Sequence, residues 1–279
     1  MSPSLARLRS GLALLLLATA LAGCSTISGG GISPGFAEQD GPSADSAVNI
    51  ASLDEVARRN PNDPEAFNTR GVAYAKSGRY SDAVADFGRA IKLDPNNAPA
   101  LTNRALAVRQ MGRNDAALED FSRAIAANPR HAPAYLGRAN LLRAQGGTQE
   151  ALADLDQAIK LNPEGAQAFH ARGLIYQREG QHPRAITDFD NAIDRDPFAA
   201  APYQARGQSL IATGKFAAAI EDFNAALNVN AKNADAWAGL GTAYERSGNR
   251  QKAVESYNRA LVVDPNNAVA REAGSRLRS

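Results

Sequence analysis

Residue identities in this chain recur at a spacing of 34. Pro61, Pro95, Pro129, Pro163, Pro197 and Pro265 fall on one comb with that interval, which only Ala231 interrupts. Gly78, Gly112, Gly146, Gly180, Gly214 and Gly248 share the interval without a gap. So do Ala83, Ala117, Ala151, Ala185, Ala219 and Ala253, and again Ala90, Ala124, Ala158, Ala192, Ala226 and Ala260. Self-similarity at a fixed period of this size marks a stacked-repeat architecture, because each unit is too small to bury its apolar face except against its neighbours. The spacing therefore predicts a solenoid and makes a count of compact domains the wrong question.

Within each unit the pattern is helical. With the first repeat begun at Pro64, the fourth position is Phe67, Leu101, Tyr135, Phe169, Tyr203 and Trp237. The eighth is small, from Gly71 to Gly241, and the eleventh is large, from Tyr74 to Tyr244. These spacings put one apolar stripe on a first helix, A. The repeated glycine stands where helix A must stop, in the left-handed conformation that costs glycine least. A second helix, B, carries the two repeated alanines on one face. Between them comes a bulky residue: Phe87, Phe121, Leu155, Phe189, Phe223 and Tyr257. Asp or Asn before Pro closes helix B, since proline disfavours a helical residue ahead of it.

The sixth unit reads Trp237, Leu240, Gly241, Tyr244, then Ala253, Tyr257 and Pro265. That resembles the tetratricopeptide repeat (TPR) signature. The resemblance covers 64–267 as six repeats. It implies an all-α, right-handed superhelical solenoid of helix-turn-helix units with capping helices over 46–63 and 268–279.

The seventh position departs from the family, which is normally apolar there. It is Arg70, Arg104, Arg138, Arg172 and Arg206, then Leu240, while the twenty-third is Asp86, Asp120, Asp154, Asp188 and Asp222, then Ser256. Both charges vanish together in the sixth unit. Pairing with the preceding repeat would set Arg70 against Ser52 and leave Asp222 alone. The pattern thus predicts bridges inside each repeat: Arg70–Asp86, Arg104–Asp120, Arg138–Asp154, Arg172–Asp188 and Arg206–Asp222. Charges so paired have little left for an anionic ligand.

The resemblance also implies a concave wall built by helix A. Its candidate peptide contacts are Asn68, Val72, Thr102, Leu106, Arg109, Leu136, Asn140, Arg143, His170, Leu174, Gln177, Arg178, Gln204 and Gln208. Amides, arginines and aliphatic groups together suit an extended peptide. The Lys/Asn/Lys/Arg clamp of the chaperone-binding members is missing, because Asn68 and Val72 stand where Lys and Asn are needed.

The chain opens on a targeting pattern. Arg7 and Arg9 precede an apolar run from Gly11 to Ala22, shorter than the roughly 20 residues a spanning helix needs. The run ends Leu21-Ala22-Gly23-Cys24, which resembles the lipobox of bacterial lipoproteins. The expectation is a signal peptide over 1–23 and lipidation at Cys24, the sole cysteine. A Gly/Ser/Pro-rich tether over 24–45 would follow. Ser25 in place of Asp implies the periplasmic face of the outer membrane, with the inner membrane left open. Removing residues 1–23 takes Arg7 and Arg9 from 31 basic and 29 acidic residues and leaves 29 of each. A neutral chain offers no electrostatic case for nucleic acid.

No catalytic motif, cofactor loop or metal-ligand spacing stands out, and His131, His170 and His182 occupy three different repeat positions. No enzyme activity, cofactor or metal is expected. The layout is similar to NlpI-type lipoproteins, adaptors that link envelope proteases and cell-wall hydrolases. It implies a membrane-anchored scaffold for envelope proteins or peptides. The alternative is an assembly lipoprotein for a pilus, secretin or outer-membrane machine, and a homodimer is left open.

Overall fold

A computed structural model describes residues 44–277 of the chain, so the targeting run, Cys24 and most of the tether lie outside the described residues. The described residues form fourteen α-helices and no strand. A helix α1 (Ala44–Arg59) precedes the repeats and starts two residues ahead of the expected boundary at 46. The A helices are α2 (Pro64–Lys76), α4 (Ala98–Gln110), α6 (Ala132–Gln145), α8 (Ala166–Arg178), α10 (Ala200–Ala212) and α12 (Ala234–Arg246). The B helices are α3 (Tyr80–Leu93), α5 (Asn114–Ala127), α7 (Thr148–Leu161), α9 (His182–Arg195), α11 (Phe216–Val229) and α13 (Arg250–Val263). A short α14 (Ala268–Arg276) closes the stack. None of these helices is long and apolar enough to cross a membrane.

Local chemistry sets the helix ends. The Asp63 carboxylate accepts from the Glu65 N–H at 3.0 Å, with Pro64 at the first helical position. At the other end of α2, Gly78 takes φ +73°, its N–H donates to Ala75 O and the Arg79 N–H donates to Tyr74 O. This pair of bonds satisfies carbonyls that the helix leaves open. Five of the six B helices end on an Asp or Asn whose side chain accepts from the backbone two residues on, as in Asn96 N–H to Asp94 Oδ1 at 3.1 Å. Asn230 makes the same bond to Lys232 N–H at 3.0 Å, so Ala231 dispenses with proline and keeps the turn.

Packing follows the repeat. Phe87, Phe121, Leu155, Phe189 and Phe223 are wholly buried. Phe223 fills space left by small residues on two helices. A Cβ on Gly207 of the same repeat would lie 3.0 Å from the Phe223 ring, and one on Gly239 of the next repeat 2.4 Å from it. Phe121 is held the same way, 2.3 Å from a Cβ built on Gly137 of the following repeat. One ring thus couples two repeats.

The Arg–Asp pairs lie across each helix pair. Arg70 donates to Asp86 through Nε at 2.6 Å and Nη2 at 2.7 Å. The same two-pronged geometry joins Arg104 to Asp120, Arg138 to Asp154, Arg172 to Asp188 and Arg206 to Asp222 at 2.6 to 2.8 Å. All five carboxylates are buried. Hydrogen bonding to these aspartates raises every one of the five guanidinium pKa values, against the opposing cost of desolvation.

A further contact was not legible in the pairing rule. Nη1 of the same arginine reaches back one repeat, to Asp54 from Arg70 (3.0 Å), Ser122 from Arg138 (3.2 Å), Asp156 from Arg172 (2.7 Å) and Asp190 from Arg206 (2.6 Å). The arginine therefore ties three helices. In the second repeat the equivalent site is Gly88, where a Cβ would lie 4.0 Å from Arg104 Nη1. Gly88→Asp is expected to stabilise the protein by about 1 kcal/mol, from helix propensity plus a half-exposed charged hydrogen bond. The check is a higher urea midpoint at unchanged slope.

The last repeat is locked differently. Tyr257 OH donates to Glu245 Oε2 at 2.8 Å, and Arg276 of α14 donates to the same carboxylate at 2.7 Å. Burial pushes the Tyr257 phenol up to about 12.

Candidate functional site

Each A helix touches the A helix of the next repeat, whereas no two B helices touch one another among the described residues. Helices that approach on one side and diverge on the other bend the stack, so α2, α4, α6, α8, α10, α12 and α14 line its inner wall.

Close approach has a consequence for the candidate contacts. Asn68, Thr102, Leu106 and Leu136 are buried, which corrects the expectation that they present open surface. Asn68 Oδ1 accepts from Asn103 Nδ2 of the next A helix at 3.0 Å. Leu106 shares a core cluster with Leu141, and Leu136 shares one with Ala171 and Ile175. These positions form the seam between inner helices rather than the wall.

Two of the amides are spent in the same way. Gln177 Nε2 donates to Ala205 O at 2.7 Å and to the buried Ser209 Oγ at 2.9 Å. Gln204 Oε1 accepts from Asn233 Nδ2 at 2.7 Å. Both tie adjacent repeats. Their role was not readable from one unit, because the partner lies about one repeat away in sequence.

What remains open on the wall is a smaller set. Val72, Arg109, Asn140, Arg143, His170 and Leu174 are partly exposed, and Arg178 and Gln208 are exposed. Asn140 and Gln208 keep amides to offer a peptide backbone. His170 lies against Phe189, with ring centroids 5.8 Å apart. Desolvation, with the neighbouring Arg143 charge second, lowers its pKa to about 4, so it is neutral at pH 7. Desolvation also lowers the pKa of Arg109 and Arg143, and for Arg143 the Arg178 charge adds to it. Among the described residues no group of three or more His, Cys, Asp or Glu is gathered to hold a metal ion.

Comparisons agree with this architecture. No curated protein matches the chain in sequence. Of solved structures, the APC/C hetero-tetramer Cut9-Hcn1 superposes with a TM-score of 0.73 at 20% identity. That match covers 85% of this chain and 46% of the other, so the chain spans about half its length. PilW, described as a widely conserved type IV pilus biogenesis factor, gives 0.67 at 20% identity over 75% of this chain and 97% of its own. YrrB, described as a TPR protein with an unusual peptide-binding site, gives 0.57 at 23% over 68% and 97%. At such identities the likeness is one of fold. The sequence family described as tetratricopeptide repeat matches residues 64–97, 102–166, 136–200 and 205–268. With helix pairs, glycine stops and inner wall all in place, the chain belongs to the tetratricopeptide repeat family, as a scaffold of the kind that binds other proteins.

Proposed function

We propose that this chain is a lipid-anchored periplasmic adaptor that binds other envelope proteins along its inner wall. The observation that carries the binding half is the open strip of that wall. Asn140, between the apolar Val72 and Leu174 along the stack, and Gln208, one repeat beyond Leu174, offer backbone partners, as an extended peptide requires. The anchoring half rests on the sequence: the Arg7/Arg9 start, the short apolar run and the Leu21–Cys24 tetrad. Multiple acyl chains on Cys24 would hold the protein to a membrane surface without spanning it, and the tether would let the repeats reach partners.

The test is crosslinking in cells followed by affinity purification of detergent-extracted protein, beside Cys24→Ser and Asn140→Ala/Gln208→Ala variants. Proteases or cell-wall hydrolases recovered with wild type, and lost with either variant, are the expected result. Recovery of a pilus or secretin ring instead would favour an assembly role, the reading that the likeness of fold to PilW suggests. A chain that stays soluble with Cys24 intact would remove the anchor. Capture that both amide substitutions leave unchanged would move the contact off the inner wall.

A further inference from the structure

Carboxylates are unevenly distributed over the repeats. The inner helices α4, α6, α8 and α10 contain no Asp or Glu, and every acid of the second to fifth repeats lies on a B helix or in a turn. The same four inner helices carry seven arginines. Four of them, Arg104, Arg138, Arg172 and Arg206, are neutralised from behind by the B-helix aspartates. Among the described residues Arg109, Arg143 and Arg178 have no carboxylate partner.

Two of them, Arg143 and Arg178, are neighbours, and Arg109 holds the corresponding place one repeat earlier. All occupy the last turn of consecutive inner helices. Arg178 reaches across to Arg143, where Nη1 donates to the Arg143 carbonyl at 3.4 Å and Nη2 to Thr148 Oγ1 at 3.2 Å. Arg143 Nε is buried without any hydrogen-bond partner. The acid next in sequence, Glu179, accepts instead from Gln181 at 2.9 Å. Guanidinium groups that are partly desolvated and lack a carboxylate, as Arg109 and Arg143 do, cost free energy that a bound anion recovers. His170, neutral and adjacent, adds a donor without adding charge.

We propose that Arg109, Arg143 and Arg178 recognise the carboxylate side chains of an extended acidic segment of a partner protein. This deepens the reading of the inner wall as the binding face and rests on it. Charge sets the choice of partner here: the arginines span three repeats, so they read acids spaced along a strand rather than a single terminal carboxylate. The aliphatic Leu174, one turn before Arg178 on α8, suits alternation of acidic and apolar residues.

The probe is a fluorescent peptide of four Glu-Ser-Leu units, about 40 Å when extended, beside its Gln-Ser-Leu counterpart. Both are titrated against the full chain in nonionic detergent. The acidic peptide is expected to bind about tenfold more tightly at low salt, and the difference to shrink several-fold near 1 M salt, where the screening length is about 3 Å. Arg109→Gln/Arg143→Gln/Arg178→Gln is expected to abolish the difference while far-ultraviolet circular dichroism and the melting transition stay unchanged. Should the triple variant misfold, Arg178→Gln alone, exposed and near a turn, is expected to lower it by about threefold. Equal binding of the two peptides would overturn the charge reading and leave the groove intact. Binding of neither would overturn both. An acidic preference that survives all three substitutions, or displacement by inorganic phosphate at matched ionic strength, would also overturn the assignment to carboxylates at this site.

Discussion

Arg138→Leu alone is expected to destabilise the protein by about 3–5 kcal/mol, and Arg138→Leu/Asp154→Ser by about 1 kcal/mol or less. The Asp154 side chain is 8% exposed and takes both hydrogen bonds from Arg138. Removing the arginine strands an ionised carboxylate between two helices. Removing both charges leaves only a packing problem, which the protein has already solved once. In the sixth repeat Leu240 is 3% exposed at the arginine position, and Ser256 satisfies itself by donating to Lys252 O at 2.8 Å. Arg138 suits this experiment because, among the described residues, its only other hydrogen bond goes to the Ser122 hydroxyl. Urea denaturation of wild type, both single variants and the double variant forms the cycle that isolates the pair. A double variant as unstable as Arg138→Leu would show that lost packing, rather than the stranded charge, dominates.

Phe121→Ala is expected to cost about 3–5 kcal/mol, and to do so unevenly along the chain. The ring has no exposed surface and lies against α6 as well as filling its own repeat, with Gly137 leaving it room. The cavity therefore opens at a junction between repeats. Stability in a stacked array is a sum of repeat and neighbour terms, so weakening one junction lowers the cooperativity between the two sides. Hydrogen exchange is the appropriate readout. Amides of α2 to α5 are expected to lose protection ahead of α8 to α13, whereas a uniform loss would mean that the stack unfolds as one unit. In Gly137→Val the ring has nowhere to go and overpacking of the same junction is the expected outcome.

Much of the fold was legible in the chain because its information is periodic. Six glycines on one comb imply six left-handed stops, and all six adopt positive φ, from 72° to 86°. The paired disappearance of Arg and Asp in one repeat indicated which partner each arginine has, since charges that are lost together depend on each other. Ala231 was the one break in the proline comb, and Asn230 explains it by forming the turn unaided. The inner wall was less legible. Asn68, Thr102, Leu106 and Leu136 occupy register positions that read as surface, yet they are buried. Register gives the direction of a side chain from its own helix and says nothing about how closely the next helix approaches.

Sequence by itself therefore determined the unit: its length, its two helices, where each stops, and the charge pair that joins them. These depend on contacts within about 30 residues, and repetition states them several times over. Only the tertiary structure decided what happens between units. It assigned the third arginine nitrogen to the preceding repeat, put Gln177 and Gln204 to work as ties, and left Arg109, Arg143 and Arg178 without a carboxylate partner among the described residues. Interactions between units depend on distances of a few ångströms across a helix seam, which the bulk of each neighbour sets and the period alone does not encode.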